Sequence, residues 1–251
     1  MYNAIKGAGY VAPAAGGFLA QRYGFAMIFF ASAAIGLVAL IANLFLPNDR
    51  RGPLDDDDEP SLRQSLLMFR DPRLMPIYAV IVINMFLVGI LFGFLPVYLH
   101  GLGYSATESG TVVSIATRRT LLVQPLAGAM ADRYAMRTIV LLGLLVAAVS
   151  IVATTFASGW ILVAIVVAAG MGIGTVWTNS DALVSASAPS SQLGASIGAA
   201  QSFKEFGDMI GPLLVGAPTH FFGIRAGFVS CGAVALTLLL VLVRAAAFRL
   251  R

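Results

Sequence analysis

The stretch PIYAVIVINMFLVGILFGFLPVY, residues 76–98, runs for 23 residues without a charged side chain. A helix rises 1.5 Å per residue, so about 20 apolar residues cross the ~30 Å hydrocarbon core of a bilayer. This stretch therefore reads as one membrane span, and seven more candidates lie on either side of it. Their limits are 3–20, 25–46, 107–131, 138–156, 160–184, 194–218 and 225–246. The first is the poorest, because it starts almost at Met1 and carries Lys6. Its continuation GAGYVAPAAGGFLAQRYG, residues 7–24, is too rich in Gly and Pro for a secretory signal.

The composition agrees with eight spans. Of 251 residues 59% are hydrophobic and 11% charged, whereas soluble domains average about 45–50% and about 25%. The mean hydropathy of +0.87 leaves more apolar surface than one aqueous core could bury, and lipid is the remaining solvent. A lone Cys231 excludes an internal disulfide and any CxxC metal site, and His100 and His220 form no HExxH pair. No metal or cofactor is expected. The net charge of +4 does not point to nucleic acid either, since its basic residues are scattered at the edges of apolar runs rather than gathered on one solvated face.

Turn-forming residues separate the runs: Asn48-Asp49, Gly101 to Gly103, Ser158-Gly159 and Ala188-Pro189-Ser190. Only the connection 47–75 is long. It holds the acidic run Asp55 to Glu59 and an amphipathic piece, Leu62 to Phe69. Four consecutive aspartates cannot all aim at one ion and no EF-hand spacing is present, so the run reads as a solvated linker. With both termini cytoplasmic, ten arginines fall on the cytoplasmic side, among them Arg50, Arg51, Arg133 and Arg137. Only Arg22 and Arg225 fall outside, while Lys6, Arg118, Arg119 and Lys204 lie within runs. This bias sets the expected orientation.

Shifting the chain against itself by 199 residues lays Ala12-Pro13 on Gly211-Pro212, Gly17 on Gly216, Gly24 on Gly223 and Phe29 on Phe228. Runs one and two thus echo runs seven and eight, six spans apart. That is the pattern of a parallel six-helix repeat. The second unit, 76–251, is complete. The first, 1–46, has only its last two helices, so four spans in about 130 to 150 residues are expected upstream of Met1.

At this point the residues carry a resemblance that covers essentially the whole chain. The pattern is similar to the major facilitator superfamily from its fifth helix through its twelfth. GAMADRYAMR, residues 128–137, resembles the family's cytoplasmic gating loop through Gly128, Asp132, Arg133 and Arg137, with Ala135 and Met136 departing from the usual Gly and basic residue. APAAGG, residues 12–17, resembles the family's antiporter element through Pro13, Gly16 and Gly17, with Ala12 in place of a Gly. KEFGDMIGPLLVG, residues 204–216, is similar to the eleventh helix. The resemblance implies an all-α polytopic bundle and transport by alternating access, with a site between two halves.

Chemistry is best sought where polarity is costly, since a mid-bilayer charge costs about 2.5–3.5 kcal/mol even on lenient scales. Arg118 and Arg119 sit halfway along the run 107–131, and Lys204, Glu205 and Asp208 sit at comparable depth on 194–218. Gln201, Lys204, Glu205 and Asp208 form one stripe at helical spacing, as do Thr111, Ser114 and Arg118. Three cations against two carboxylates suit an anionic substrate or proton-coupled carboxylates. Asp208 is expected to be the most sensitive carboxylate, with Arg118 as its partner. A structural reading stands beside this, in which Lys204 and Asp208 neutralise each other and the arginines bridge helices. Asn84, Asn179 and Asp181 could add hydrogen-bonding groups, with Asp181 nearer the cytoplasmic end and a mere interface role as the equal alternative. Gly170, Gly172, Gly174, Gly194 and Gly198 read as close-packing sites, and Trp160 and Trp177 as an interfacial anchor and a cavity or packing residue.

The reading is a carrier rather than an enzyme, integral to a bacterial inner membrane and exporting a drug or metabolite in exchange for protons. Its partners are lipid, a small solute, and either the missing N-terminal helices or another chain. The alternative is a truncated noncatalytic subunit or scaffold.

Overall fold

The structure, a computed structural model, describes residues 12–45 and 67–244. Its α-helices are α1 (Ala12–Tyr23), α2 (Phe25–Asn43), α3 (Met75–Gly89), α4 (Leu95–Gly101), α5 (Ala106–Arg133), α6 (Met136–Thr154), α7 (Gly159–Ser187), α8 (Leu193–Phe222) and α9 (Ile224–Arg244). A π-helical turn, Ile90–Phe94, joins α3 to α4, so together they form one rod. Pro96 offers no N–H to the carbonyl one turn before it, and the helix widens just ahead of it. The described residues contain no strand, and eight rods lie on the eight apolar runs.

Five rods are both long and apolar enough to cross a membrane: α2, the α3–α4 rod, α6, α7 and α9. The helices α5 and α8 have the length, at 28 and 30 residues, but carry the charges singled out above. The described part of the first run extends past Gln21 and Arg22 to Tyr23. Lys6, the Asn48-Asp49 turn, the Asp55 to Glu59 run and the C-terminal tail after Arg244 lie outside the described residues.

The ends of the rods follow from local chemistry. Ser105 closes a capping box on α5: its Oγ accepts from the Glu108 amide at 3.2 Å, and its own amide donates to Glu108 Oε2 at 2.8 Å. Gly24 separates α1 from α2 with φ 82° and ψ 166°, and Gly223 separates α8 from α9 with φ 84° and ψ 165°. These two glycines are 199 residues apart. The hydrogen bonds around them also repeat at that spacing: Gly24 N to Ala20 O and Met27 N to Gly24 O, then Gly223 N to Thr219 O and Ala226 N to Gly223 O. Both backbones occupy a region open only to glycine, so the repeat read in the sequence is also a repeat in conformation.

The rod that begins with α3 is central. It packs against α6, α7, α8 and α9, and Ile77, Ile81 and Leu87 are fully buried along it. The helix α7 joins α5 to α6 through its glycines. A Cβ on Gly170 or Gly174 would strike the backbone of Ala116 or Thr120, and one on Gly172 would strike Gly143 and Ala147. These three are close-packing sites, as their small size implies. Gly194 and Gly198 are not: both are exposed on α8, and a Cβ there meets nothing within 4 Å. At the end of the linker Met68 is buried and Phe69 reaches Phe203, which stacks on Tyr78 with ring centroids 4.6 Å apart. The outer face of α2 carries Phe29, Phe30 and Ile35 exposed. Trp160 is 87% exposed at the start of α7, where an interfacial anchor belongs, and Trp177 is partly exposed.

Candidate functional site

The site is built from three helices. The helix α7 packs against both α5 and α8, so it stands between the two charged stripes. On α5, Arg118 and Arg119 lie near mid-helix and both are exposed. On α8, Gln201, Glu205 and Asp208 share one exposed face, and Gln201 Nε2 donates to Glu205 Oε1 at 3.0 Å. Asp208 sits about 22 Å along α8 from Leu193, close to the middle of the rod.

Lys204 behaves differently. Its ammonium donates to Asp181 Oδ1 on α7 at 2.6 Å, with the lysine side chain 12% exposed and the aspartate 51%. This ion pair ties α8 to α7. It corrects two expectations. Lys204 is not neutralised by Asp208 along its own helix, and Asp181, read as lying toward the helix end, reaches the mid-depth lysine. The reason is side-chain direction: a helical Cα–Cβ bond leans toward the helix N-terminus, so Lys204 on α8 extends back toward the α7–α8 turn. Asp181 is then counted with the cluster, giving three cations and three carboxylates. The surplus of positive charge disappears, and with it the argument for an anionic substrate.

The expected contact between Arg118 and Asp208 is absent. No hydrogen bond or ion pair joins α5 to α8 among the described residues, because α7 stands between them. Of the neutral candidates, Asn179 Nδ2 donates to Thr175 O at 2.9 Å within α7 and reaches Ala127 O on α5 at 3.5 Å. It joins helices rather than facing open space. Asn84 is 1% exposed inside the α3 rod, and neither of its amide atoms has a partner.

Two features escaped the sequence reading. Thr120 Oγ1 donates to Gly170 O at 2.8 Å, tying α5 to α7 beside the packed glycines. The helix α1 is also tied to α5. Ala14 N donates to Ser114 Oγ at 2.9 Å, and Gln21 Oε1 accepts from both the amide and the hydroxyl of Thr107. The APAAGG element, which opens α1 at Ala12, supplies that contact. A Cβ on Gly17 would run into the Ala106 carbonyl and one on Gly110 into that of Pro13, so the two backbones touch at both places. Gly16 faces the other way, with no atom within 4 Å of a Cβ built on it. Gly128, Asp132, Arg133 and Arg137 bracket the two-residue turn between α5 and α6, with Asp132 and Arg133 exposed and Arg137 half-buried.

The family model of the Major Facilitator Superfamily matches residues 1–118 and 110–250. The chain belongs to the major facilitator superfamily. Among superfamily relatives, the multidrug resistance protein MdtG of Citrobacter koseri is 26% identical over 229 residues, covering 88% of this chain and 56% of that protein. The MdtG of Klebsiella pneumoniae is 24% identical over 240 residues, covering 93% and 58%. The chain therefore spans little more than half the length of the curated relatives it matches. As a superfamily bundle it is an integral membrane protein.

Proposed function

We propose that this chain carries helices five to twelve of a proton-coupled secondary transporter that exports a small solute by alternating access. In this reading residues 1–46 end a first half, 47–75 form a cytoplasmic linker and 76–251 make the second half, with both termini cytoplasmic in a bacterial inner membrane. The observation that carries it is the set of charges left at mid-depth once Lys204 and Asp181 have paired. Arg118, Arg119, Glu205 and Asp208 are exposed near the middle of their helices. A charge held there is costly unless it faces an aqueous cavity or a counter-ion. Glu205 and Asp208 then serve as the groups that take up and release a proton as their surroundings change. Relatives named for multidrug resistance favour export of organic solutes over uptake of a nutrient.

The experiment is solute-dependent proton movement in proteoliposomes with an imposed pH gradient, using aromatic cations and neutral dyes as solutes. Collapse of the gradient on adding a solute supports the proposal. A second reading, a subunit that transports nothing alone, is favoured by the uncovered apolar face of α2. It predicts a folded, inserted protein with no gradient collapse until further helices are supplied.

A further inference from the structure

At one end of the bundle a groove of about 490 Å³ opens between the start of α6 and the end of α9. Leu142, Leu145, Leu239 and Val243 make its floor, and Arg137 and Thr138 line its mouth. Leu142, Leu145 and Val243 are exposed, so the floor faces outward, where a membrane helix meets lipid. The two helices run antiparallel, since a Cβ on Gly232 of α9 would meet Val152 and the Ala148 carbonyl further along α6. The span Met136–Thr154 has 19 residues, which at 1.5 Å each only just cross the ~30 Å of hydrocarbon. Arg137, on the first turn of that span, therefore sits at headgroup depth. Arg244 follows Val243 at the last residue of α9, so a second arginine stands at the same end. No carboxylate is among the described residues that line the groove. Ala135 gives α6 no side-chain cap, and the positive end of the helix dipole meets the same mouth.

We propose that this groove holds one anionic phospholipid, with its phosphodiester against Arg137 and Thr138 and an acyl chain along Leu142, Leu145 and Val243. Basic pockets between membrane helices take such headgroups, because a fixed anion at the headgroup level meets a fixed cation there. A guanidinium presents five N–H donors in a planar fork, so Arg137 can hold phosphate oxygens alongside a partner within the protein. The leucine floor favours a lipid over a free phosphate, since a soluble anion gains nothing from it. A zwitterionic lipid fits the same floor but brings its own cation to a basic rim. Both helices belong to the second unit, so occupancy of the groove requires neither transport nor a completed first unit.

The test is native mass spectrometry of the intact chain, delipidated in detergent and titrated with phosphatidylglycerol or phosphatidylcholine, with inorganic phosphate as competitor. Phosphatidylglycerol should bind at least about fivefold more tightly than phosphatidylcholine, the scale of one basic residue at a membrane surface. Arg137→Gln and Arg244→Gln should each remove about that factor. Arg244 is exposed at a helix end, so its variant folds and keeps the test sharp even where Arg137→Gln does not. Arg225→Gln, equally exposed at the opposite end of α9, should leave the affinity unchanged. A phosphatidylglycerol with a diazirine on its acyl chain should label the segments around Leu142 and Val243. Equal affinity for the two lipids, or equal losses at Arg225 and Arg244, overturns the proposal. Displacement of phosphatidylglycerol by millimolar inorganic phosphate overturns the assignment to a lipid.

Discussion

Removing one partner of the Lys204–Asp181 pair should cost much more on one side than on the other. The lysine side chain is 12% exposed and the aspartate 51%, at 2.6 Å. Asp181→Ala leaves a largely buried ammonium without its counter-ion. The cost lies between that of an exposed pair, about 0–1 kcal/mol, and that of breaking a buried one, about 3–5 kcal/mol, so we take about 2 kcal/mol. For a bundle of this size that is a fall of about 4–8 °C in Tm. Lys204→Met keeps the aliphatic stem and leaves a half-exposed carboxylate, at a cost below about 1 kcal/mol. The double variant should recover most of the loss from Asp181→Ala, because no buried charge remains. Thermal unfolding of purified protein in one detergent, followed by a thiol-reactive dye at Cys231 or by retained monodispersity, reads all three. Equal losses for both single variants, or a double variant no better than Asp181→Ala, would refute the reasoning.

Gly174→Val drives a branched side chain into Thr120 and Val123 and should abolish folded protein on size-exclusion chromatography. By contrast Gly194→Ala, open on α8, should be neutral or gain up to about 1 kcal/mol. Gly24→Ala and Gly223→Ala share one backbone conformation. Each should lose about 1–3 kcal/mol in thermal unfolding, and a large difference between them would contradict the structural repeat. Thr120→Val breaks the bond to Gly170 O and should lower Tm by only about 1–3 °C, since interhelical bonds in membranes average about 0.6 kcal/mol.

The rods were legible because membrane thickness imposes one length on every span, and composition alone reports it. Their boundaries moved by a few residues: outward over polar residues, as at Gln21 and Arg22 on α1, and inward where α2 stops at Asn43 inside its apolar run. The widened turn at Ile90–Phe94 was hidden, because Gly93 and Pro96 both fit an uninterrupted apolar run. The polar stripe on α8 was readable from 3.6-residue periodicity, but its partner was not. Depth along a helix places a Cα, whereas Lys204 acts at the far end of a long side chain leaning toward the turn. Which helix stands between which is a matter of three-dimensional order, and that order separates Arg118 from Asp208. Ser109 on α5 is buried with no partner for its hydroxyl, and it left no signal, since a serine on the first turns of a helix is ordinary in sequence.

The most direct test of the central claim is transport by Asp208→Asn in the protein as its gene encodes it, beside wild type, in proteoliposomes with an imposed pH gradient. The amide keeps the shape of the carboxyl and removes a costly charge, so insertion and Tm should be unchanged or improved. Solute-dependent proton movement should fall by at least about tenfold, the scale of losing a proton-transfer group. Normal coupling in the variant would contradict the account, as would loss of folded protein, which would make Asp208 a structural charge.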